Sequence, residues 1–522
     1  MNRAFIQIHY HDRLGGVGKV IRSYAESFEK ITPAGDIMAN CVICASSRAG
    51  VHSFEPAKTV HMPSCDYRRF VAKKQFTRMR DELAHQLAEY VKRADTVSTR
   101  LVVVAHNITL GKNSALSSAF AQLAHTFSPR STVHFFSVIH DLAEEGRADM
   151  LAQMRKVTQF GETIDSVFYP ALPNITYVVL NKRIYHIVKA AGLPVRLLPN
   201  PVEVPRPEKT LSSQQKNELV AAIGKLAAND GAAFYANRPL FFYPVRCISR
   251  KNIPEAIIIA ALVLKANLVT GGPGTAEGDI DMLARLRSLV RAYHLPVVFD
   301  GNRVCSFLSD TDPFQLIYWN CDACISTAVA EGFGYALYEP WLFKKPLIGR
   351  HAKGFTPGKT IQTDHLYAEL NIPATWIDLS DLQNTYRKSM QQCYPQEVAR
   401  PLLAKSNHID FGMLDMGSQF TVLQKLLTQH AALDQIRVSP CANNAPDLKT
   451  RLYPPSLTIE RVCANQSAIA DTLAGRAFLS RFNKCYFRPV SPTPVTRQAS
   501  QHLQKHFCSP EEFRLLLTPS AS

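Results

Sequence analysis

The sequence predicts an α/β protein that contains two doubly wound parallel sheets. In both halves of the chain, short apolar runs bounded by turn residues alternate with longer segments of helical periodicity, as in parallel strands joined by crossover helices. A proline-rich stretch at 198–209, LPNPVEVPRPEK, separates the two series. With 522 residues, of which 46% are hydrophobic, the chain is long enough for two large domains.

Each half contributes a series of predicted strands. In the first half they are residues 4–9, 37–44, 101–105, 133–139 and 175–180, with helices at 19–29 and 76–92 among the connections. In the second half they are residues 240–244, 265–269, 297–300, 323–326 and 346–348. The prolines of 198–209 keep the backbone extended and remove hydrogen-bond donors, so this stretch is expected to be a linker. We therefore expect domains at 1–205 and 206–430, followed by an extension at 431–522.

Composition narrows the class of protein and its partners. The formal charge of +16, from 59 Lys and Arg against 43 Asp and Glu, favours anionic partners such as nucleotide phosphates, acidic glycans or an anionic membrane surface. The sequence has no zinc finger, nucleic-acid-binding aromatic signature or arginine-rich tail, so nucleic acid is not an expected partner. Apolar runs are shorter than the roughly 20 residues of a membrane span, and the cysteines lack regular spacing. A cytoplasmic protein with reduced thiols is therefore expected.

Two Cys-x-x-Cys pairs occur, at Cys41 and Cys44 and at Cys321 and Cys324. Each pair lies in a short apolar run that is typical of a buried strand, without the turn residues that flank a zinc knuckle. No metal site is therefore expected.

The segment 326–341, STAVAEGFGYALYEPW, places two carboxylates around a glycine turn between a strand and a helix. Glu331 falls in the turn, and Glu339 lies about two turns later. At the helix N-terminus the carboxylate of Glu331 can converge on a ligand together with the backbone amides of Gly332, Phe333 and Gly334. Carboxylates placed in this way can accept hydrogen bonds from sugar hydroxyls or from a ribose diol. A helix-capping acid followed by a solvated helix acid would give the same pattern.

The segment 241–256, FFYPVRCISRKNIPEA, again predicts a strand that runs into a loop and a helix. Arg246 and Lys251 are cations at the carboxyl end of that strand, where α/β sheets bind their ligands. There they can neutralise a leaving diphosphate. A basic loop on a basic protein is the alternative interpretation.

Near the N-terminus, HYHDRLGGVGKVI predicts a strand, then the glycine run Gly15, Gly16 and Gly18, then a helix. Glycines allow the backbone to approach a ligand closely. The pattern is neither a P-loop nor a dinucleotide-binding fingerprint, because the spacings of both motifs are missing.

Two histidines end predicted strands of the first half, His106 in VVVAHNI and His140 in FSVIHDLAEE. Both are expected to point toward an interdomain cleft. A histidine at the end of a strand can also be a local hydrogen bonder. The acidic neighbours of His140 can tune it, or can form a helix N-terminal acid cluster.

The motifs occur in the order GGVGKV, IHD, LLPNPV, R-x4-K at Arg246 and Lys251, VVFDGN, and E-x7-E in EGFGYALYE. In this order, at strand-to-helix loops of both halves, they resemble the motifs of the retaining GT-B glycosyltransferases of family 4. The resemblance covers roughly residues 1–430. In the extension, SRFNKCYF resembles the C-terminal helix that returns to the first domain in these enzymes. The resemblance implies two Rossmann-like domains that face each other across a cleft.

The resemblance also implies residue roles. A nucleotide-sugar would be bound mainly by the second domain, and the acceptor would be held by the first. Arg246 and Lys251 would contact the diphosphate, Glu331 the donor sugar and Glu339 the ribose. His140 would lie beside the reacting sugar. The remaining donor-binding positions would be Gly15, Gly16, Gly332, Phe333 and Gly334.

The function that this resemblance implies is transfer of a hexose from a nucleotide-sugar to an acceptor hydroxyl with retention, by front-face substitution. Cationic side chains and amides would stabilise the leaving diphosphate, so neither a metal nor another cofactor is expected. The acceptor is left open among a small molecule, a glycan and a lipid-linked sugar. Two alternatives remain: a nucleotide-sugar epimerase on the same scaffold, and a non-catalytic nucleotide- or carbohydrate-binding protein. A glycan phosphorylase would need a pyridoxal-phosphate lysine site, and no segment argues for one.

The segment 66–80, DYRRFVAKKQFTRMR, is interpreted as a basic helix in which cations alternate with Tyr67, Phe70 and Phe76. It can make a weak contact with an anionic membrane or guide an acidic acceptor. A solvated helix face is the alternative, because runs of charge are usually just that.

Overall fold

The computed structural model describes residues 2–13, 15–46, 53–128, 132–205, 213–306, 313–397, 407–439, 447–488 and 498–518. The chain divides into two compact units. The first comprises Met1–Pro201, Met390–Val398 and Leu473–Phe513, and the second comprises Val202–Ser389, Ala399–Thr472 and Arg514–Ser522. The division at Pro201 lies inside the proline-rich stretch 198–209, of which residues 206–212 lie outside the described ranges.

A parallel sheet forms the centre of the first unit. Its strands are β1 (Arg3–His11), β2 (Ile37–Ala45), β3 (Lys58–His61), β4 (Arg100–His106), β5 (Val133–Ile139), β6 (Ile175–Val179) and β7 (Val195–Leu197). They lie in the order β3-β2-β1-β4-β5-β6-β7. The chain winds outward from β1 in one direction and from β4 in the other. A doubly wound sheet binds ligands at such a reversal, outside the carboxyl ends of its strands.

The helices between these strands are α1 (Gly16–Ile31), α2 (Lys73–Val97), α3 (Ser114–Thr126), α4 (Ala148–Gln159), α5 (Ile164–Phe168) and α6 (Lys182–Ala190). Helix α1 buries an apolar face, because Val20, Tyr24 and Phe28 recur at helical spacing. It begins at Gly16, and Val17 in its first turn packs against the apolar cluster that α1 forms with β2. The prediction that the whole glycine run precedes the helix is therefore wrong: only Gly15 does so.

The second unit contains its own parallel sheet, with strands β8 (Leu240–Tyr243), β9 (Asn267–Thr270), β10 (Val297–Val298), β11 (Ala323–Ser326) and β12 (Leu347–Gly349). Their order is β10-β9-β8-β11-β12, so the winding reverses between β8 and β11. The unit also contains a small antiparallel sheet of β13 (Glu369–Pro373), β14 (His408–Asp410) and β15 (Arg437–Ser439), which the sequence did not predict. These strands are too short to show a period of two residues clearly.

The next helices along the chain are α7 (Ser213–Asp230), α8 (Ile253–Ile257), α9 (Glu277–Ala292), α10 (Pro313–Asn320), α11 (Tyr335–Leu342), α12 (Leu379–Cys393), α13 (Met416–Thr428), α14 (Leu448–Leu452) and α15 (Ile459–Leu473). Helix α8 continues as a π-helical turn over Ile258–Val263. None of the helices in the described ranges combines the length and the hydrophobicity needed to cross a bilayer.

The C-terminal helices α16 (Gly475–Phe487) and α17 (Ala499–Phe507) pack in the first unit. Phe482 and Tyr486 of α16 lie edge-on to Phe5 of β1, with ring centroids 5.6 and 5.7 Å apart. Arg100 of β4 donates a hydrogen bond to the carbonyl oxygen of Tyr486 at 3.3 Å. The predicted fold class, an α/β protein with two Rossmann-like doubly wound sheets, is confirmed.

Candidate active site

Glu331 stands between two cations at the switch point of the second sheet. It follows β11, while Arg250 and Lys251 follow the adjacent strand β8. The ammonium group of Lys251 donates to Oε1 of Glu331, and Nη1 of Arg250 lies 3.2 Å from Oε2. Lys251 is only 9% exposed and Glu331 only 8%. The carboxylate is therefore a shared, buried counterion for both cations.

Hydrogen bonds to backbone carbonyl oxygens fix the loop after β8 and join it to the loop after β11. The hydroxyl of Tyr243 donates to the carbonyl oxygen of Lys251 at 2.8 Å, and Thr327 Oγ1 donates to the same oxygen at 3.1 Å. The amide of Val329 donates to the carbonyl oxygen of Arg250 at 3.1 Å. Because β8 and β11 are neighbours, these bonds set the distance between the cations and the carboxylate before any ligand binds.

A second ionic cluster lies next to these loops and is more deeply buried. Arg350 donates to both carboxylate oxygens of Glu255, at 2.9 and 2.7 Å, and to Asp410 at 3.0 and 2.7 Å. Burial opposes the charge of Arg350, but Asp410 and Glu255 outweigh it and raise its pKa. Asn252, which follows Lys251, donates to Glu255 at 2.6 Å. The loop that carries Lys251 is thus tied to this cluster.

Arg246 lies between β8 and this loop, and its side chain is exposed. Asp279 of α9 accepts hydrogen bonds from the amide and hydroxyl of Ser249, at 3.1 and 3.3 Å. Burial raises the pKa of Asp279, and the charges of Arg246 and Arg250 oppose this rise. Asp279 therefore supports a loop that presents three cations. The sequence-based prediction included neither Asp279 nor Arg250, although Arg250 adjoins Lys251.

The turn after Glu331 requires glycine at position 334. Gly334 has φ +82°, and a Cβ atom there would lie 2.8 Å from Cδ1 of Leu337. Phe333 is buried and stacks on Tyr338 with centroids 4.7 Å apart. The amides of Gly332, Phe333 and Gly334 lie directly before α11, as predicted from the motif. Glu339 lies on α11, and the hydroxyl of Tyr318 donates to its Oε2 at 3.2 Å.

In the first unit, histidines meet at the carboxyl ends of β1, β4 and β5. Nδ1 of His106 lies 3.1 Å from Nε2 of His140, and Nε2 of His106 lies 2.9 Å from Oε1 of Gln7. Gln7 in turn donates its amide hydrogen to the carbonyl oxygen of Ile21 at 3.0 Å. The structure thus joins the two histidines found in the sequence through a buried chain that also contains Gln7. The signal for Gln7 was a polar residue inside an apolar strand.

This chain of hydrogen bonds determines the tautomers of the histidines. Because the amide of Gln7 donates to Ile21, its Oε1 faces His106, whose Nε2 must carry the proton. Nδ1 of a neutral His106 is then an acceptor, so Nε2 of His140 is the donor. The acceptor atom that remains for a ligand on His140 is Nδ1.

Acidification is expected to destabilise the first unit. Burial lowers the pKa of His140 to about 4 and that of His9 to about 3. In the unfolded chain these groups titrate near ~6.5. Between those values the unfolded state binds more protons, so the free energy of unfolding falls as the pH falls. Urea unfolding at pH 7.5, 6 and 5 should show a loss on the order of 1–3 kcal/mol per histidine.

His140→Gln removes one of these titrations and should make the pH dependence shallower. His85→Gln is the matched control, because His85 is exposed on α2. An equal slope in all three proteins would contradict the assignment of His140 as a buried neutral histidine.

The glycines before and at the start of α1 leave open space. Among the residues that the structure describes, no other group would lie within 4 Å of a Cβ atom at Gly15 or Gly16. Packing against the described part of the chain therefore does not require glycine at either position, and close approach of a ligand remains the role predicted for them.

The cysteine pairs lie in buried strands or next to them. The sulfur atoms of Cys321 and Cys324 are 3.8 Å apart, and both residues are buried. Among the described residues, no three His, Cys, Asp or Glu side chains are grouped so that they could hold a metal ion.

Comparison with solved structures gives several distant similarities. Sucrose-phosphate synthase from Thermosynechococcus elongatus gives a TM-score of 0.48 at 11% identity, over 93% of this chain and 98% of that one. WaaG, a glycosyltransferase involved in lipopolysaccharide biosynthesis, gives a TM-score of 0.45 at 12% identity, over 92% of this chain and 98% of that one. No protein-family model matches the chain.

Sequence similarity confirms the predicted enzyme class: the chain is a glycosyltransferase. The chain is similar to mannosylglucosyl-3-phosphoglycerate synthase of Petrotoga mobilis. The two are 25% identical over 461 residues, which is 84% of this chain and 83% of that protein.

Proposed function

We propose that the chain is a retaining glycosyltransferase that moves a hexose from a nucleotide-sugar to an acceptor hydroxyl. The observation that carries the proposal is the pairing of Glu331 with Lys251 and Arg250 at the switch point of the second sheet. Such an edge binds phosphorylated ligands in other doubly wound sheets. Exposed Arg246 adds a further cation to the same loop.

The cations stabilise the leaving nucleoside diphosphate. Arg246 and Lys251 bind its oxygens, and their charge is in place before the reaction begins, so no solvent must reorganise around the departing group. This role requires neither a metal nor another cofactor. When the diphosphate also binds the ammonium group of Lys251, the carboxylate of Glu331 can accept hydrogen bonds from hydroxyls of the donor sugar. The amides of Gly332, Phe333 and Gly334 add donors at the start of α11.

The remaining roles divide between the two units. Glu339 accepts hydrogen bonds from the ribose diol of the donor. Gly15 and Gly16 allow the start of α1 to approach the diphosphate. His140 presents Nδ1 as a hydrogen-bond acceptor to the reacting sugar, with its tautomer held by His106. In front-face substitution, none of these groups needs to form a covalent intermediate.

We further propose that the acceptor is anionic and contains a phosphoglyceryl group. The relative from Petrotoga mobilis is named as a synthase of mannosylglucosyl-3-phosphoglycerate, a compound that contains this group. The charge of +16 on this chain favours an acidic substrate.

The function is tested by incubating the protein with a panel of nucleotide-sugars and with glycosides of 3-phosphoglycerate. We expect release of a nucleoside diphosphate that depends on the acceptor, and a product whose new bond has the anomeric configuration of the donor by NMR. Isomerisation of the donor without transfer would instead show an epimerase. Binding without turnover of any donor would show a binding protein.

Glu339→Gln is expected to weaken binding of the donor, while the turnover at a saturating donor concentration should change little. The variant loses a charged acceptor for the ribose, which costs roughly 1.5–3 kcal/mol, or about ten- to more than a hundredfold in affinity. Calorimetric titration with the free nucleoside diphosphate measures this effect. Glu218→Gln, an exposed change on α7, is the control and should bind like the wild type. Unchanged affinity in Glu339→Gln would place the ribose elsewhere.

A further inference from the structure

We propose that Arg13, Tyr67 and Lys112 form an anion-binding subsite that holds the phosphate or carboxylate of the acceptor. The proposal rests on the proposed function and assigns its acceptor to particular residues. The subsite lies at the carboxyl edge of the first sheet. Arg13 follows β1 and Lys112 follows β4, and the winding of the sheet reverses between these two strands.

One aromatic ring organises both cations. Nζ of Lys112 lies 4.2 Å from the centroid of the Tyr67 ring and donates to the Tyr67 hydroxyl at 3.0 Å. Cζ of Arg13 lies 5.6 Å from the same centroid. The ring itself is 41% exposed and rests edge-on against Tyr10 and His11, with centroids 5.1 and 4.8 Å away. The two cations are thus held near each other at the surface.

The backbone around this ring is anchored. The amide of Arg68 donates to the carbonyl oxygen of Lys112 at 2.9 Å. The side chain of Asn113 donates to the carbonyl oxygen of Asp66 at 2.8 Å and accepts from the amide of Leu116, which caps α3. Tyr67 and Lys112 therefore keep their separation without a ligand, which reduces the entropy lost on binding.

The balance of charge favours an anion. Asp66 pairs with Arg13 at 2.6 Å, and within the described ranges the hydrogen-bond partner of the Lys112 ammonium group is a neutral phenol. Burial, together with the charges of Arg13 and Lys112, lowers the pKa of His11 to about 4 against the opposing effect of Asp66. A guanidinium fork, an ammonium group and a phenolic hydroxyl are donors suited to phosphate or carboxylate oxygens.

A small anionic molecule fits this surface better than a membrane does. Residues 66–80 were predicted to form one basic helix, but α2 begins at Lys73, so that prediction is wrong. The aromatic residues that would enter a bilayer, Phe70 and Phe76, are buried. Arg80 pairs with Glu162 at 2.8 Å. The segment lacks a continuous basic and apolar face of the kind that membrane-surface helices present.

The test uses 3-phosphoglycerate as the probe and the full chain. Calorimetry should show binding to the wild type, and no binding of glycerol, which lacks the anionic groups. The affinity for the probe should fall by about tenfold or more in Arg13→Gln and in Lys112→Gln, because each substitution removes a charged hydrogen-bond donor. Lys92→Gln is the matched control: Lys92 is exposed near the C-terminal end of α2, which leads into the amino end of β4. It should bind like the wild type.

Two further measurements separate the possible failures. The wild type and the three variants should bind a nucleoside diphosphate with the same affinity. If the wild type did not bind it, the result would count against the proposed donor site rather than against the subsite. Probe binding that is absent, or equal in wild type and both variants, would overturn the subsite. Sedimentation with phosphatidylserine vesicles that depends on Lys112, without probe binding, would overturn it in favour of a membrane contact. Circular dichroism should show that both variants remain folded.

Discussion

Replacing Glu331 by glutamine is expected to lower turnover by about a hundredfold to a thousandfold while leaving the affinity for a nucleoside diphosphate unchanged or higher. The substitution keeps the size of the side chain and removes its charge. In the proposed reaction Glu331 binds the reacting sugar, and loss of one preorganised electrostatic contact costs roughly 2.7–4 kcal/mol in the transition state. Lys251 and Arg250 lose their shared counterion, so they should attract the diphosphate at least as strongly as before.

Two measurements decide this prediction. Steady-state turnover with a saturating donor reports the chemical step, and calorimetry with the nucleoside diphosphate reports the part of the donor that lacks the sugar. Glu218→Gln serves again as the control, with both quantities unchanged. Thermal unfolding must be compared as well, since Glu331→Gln leaves buried Lys251 without its carboxylate. If the diphosphate bound much more weakly to Glu331→Gln, Glu331 would belong to the nucleotide rather than to the sugar.

Replacing Arg350 by methionine is expected to lower the free energy of unfolding by about 3–5 kcal/mol, because it leaves buried carboxylates without their cation. Glu255 is 0% exposed, and Arg350 bridges it to Asp410. Asn252 connects Glu255 to the loop of Lys251, so the affinity for the nucleoside diphosphate should fall as well. Urea unfolding followed by circular dichroism measures the change in stability.

The pH dependence of this variant provides a second check. Burial raises the pKa of Glu255, and Arg350 opposes the rise. Without Arg350 the folded state should hold a proton on Glu255 at a higher pH than the unfolded state does. The stability of the variant should therefore increase as the pH falls from 8 to 5, relative to the wild type. Arg303→Met is the control. It breaks a more exposed pair with Asp230 and should cost about 1 kcal/mol or less. Equal effects of the two substitutions would contradict the structural role of Arg350.

Local pattern was sufficient where all or nearly all residues of a strand are buried. The predicted strands at 133–139 and 323–326 match β5 and β11, because strands covered on both faces appear as continuous apolar runs. Strands β3 and β7 and the antiparallel sheet were missed. Strands of three to five residues that include partly exposed positions contain too little periodicity to be distinguished from loops.

The basic segment shows the limit of patterns based on charge. Residues 66–80 alternate cations with aromatic residues, and this predicts one amphipathic helix. In the structure the part before Lys73 is tied to Lys112 and Asn113 through hydrogen bonds of its backbone. These partners lie more than forty residues away in the chain, so no local pattern identifies them.

The sequence by itself determined the fold class, the strand-to-helix loops that carry Glu331 and Lys251, and the glycine turn at Gly334. These features depend on periodicity and turn chemistry among near neighbours. Only the tertiary structure decided that Arg250 contacts the carboxylate of Glu331. It also decided that Gln7 sets the tautomers of the two histidines, His106 and His140. The contact of the Tyr67 ring with both Arg13 and Lys112 likewise depends on the tertiary structure. The physical reason is that each of these contacts joins segments that are distant in the chain, and the arrangement of strands in each sheet brings these segments together.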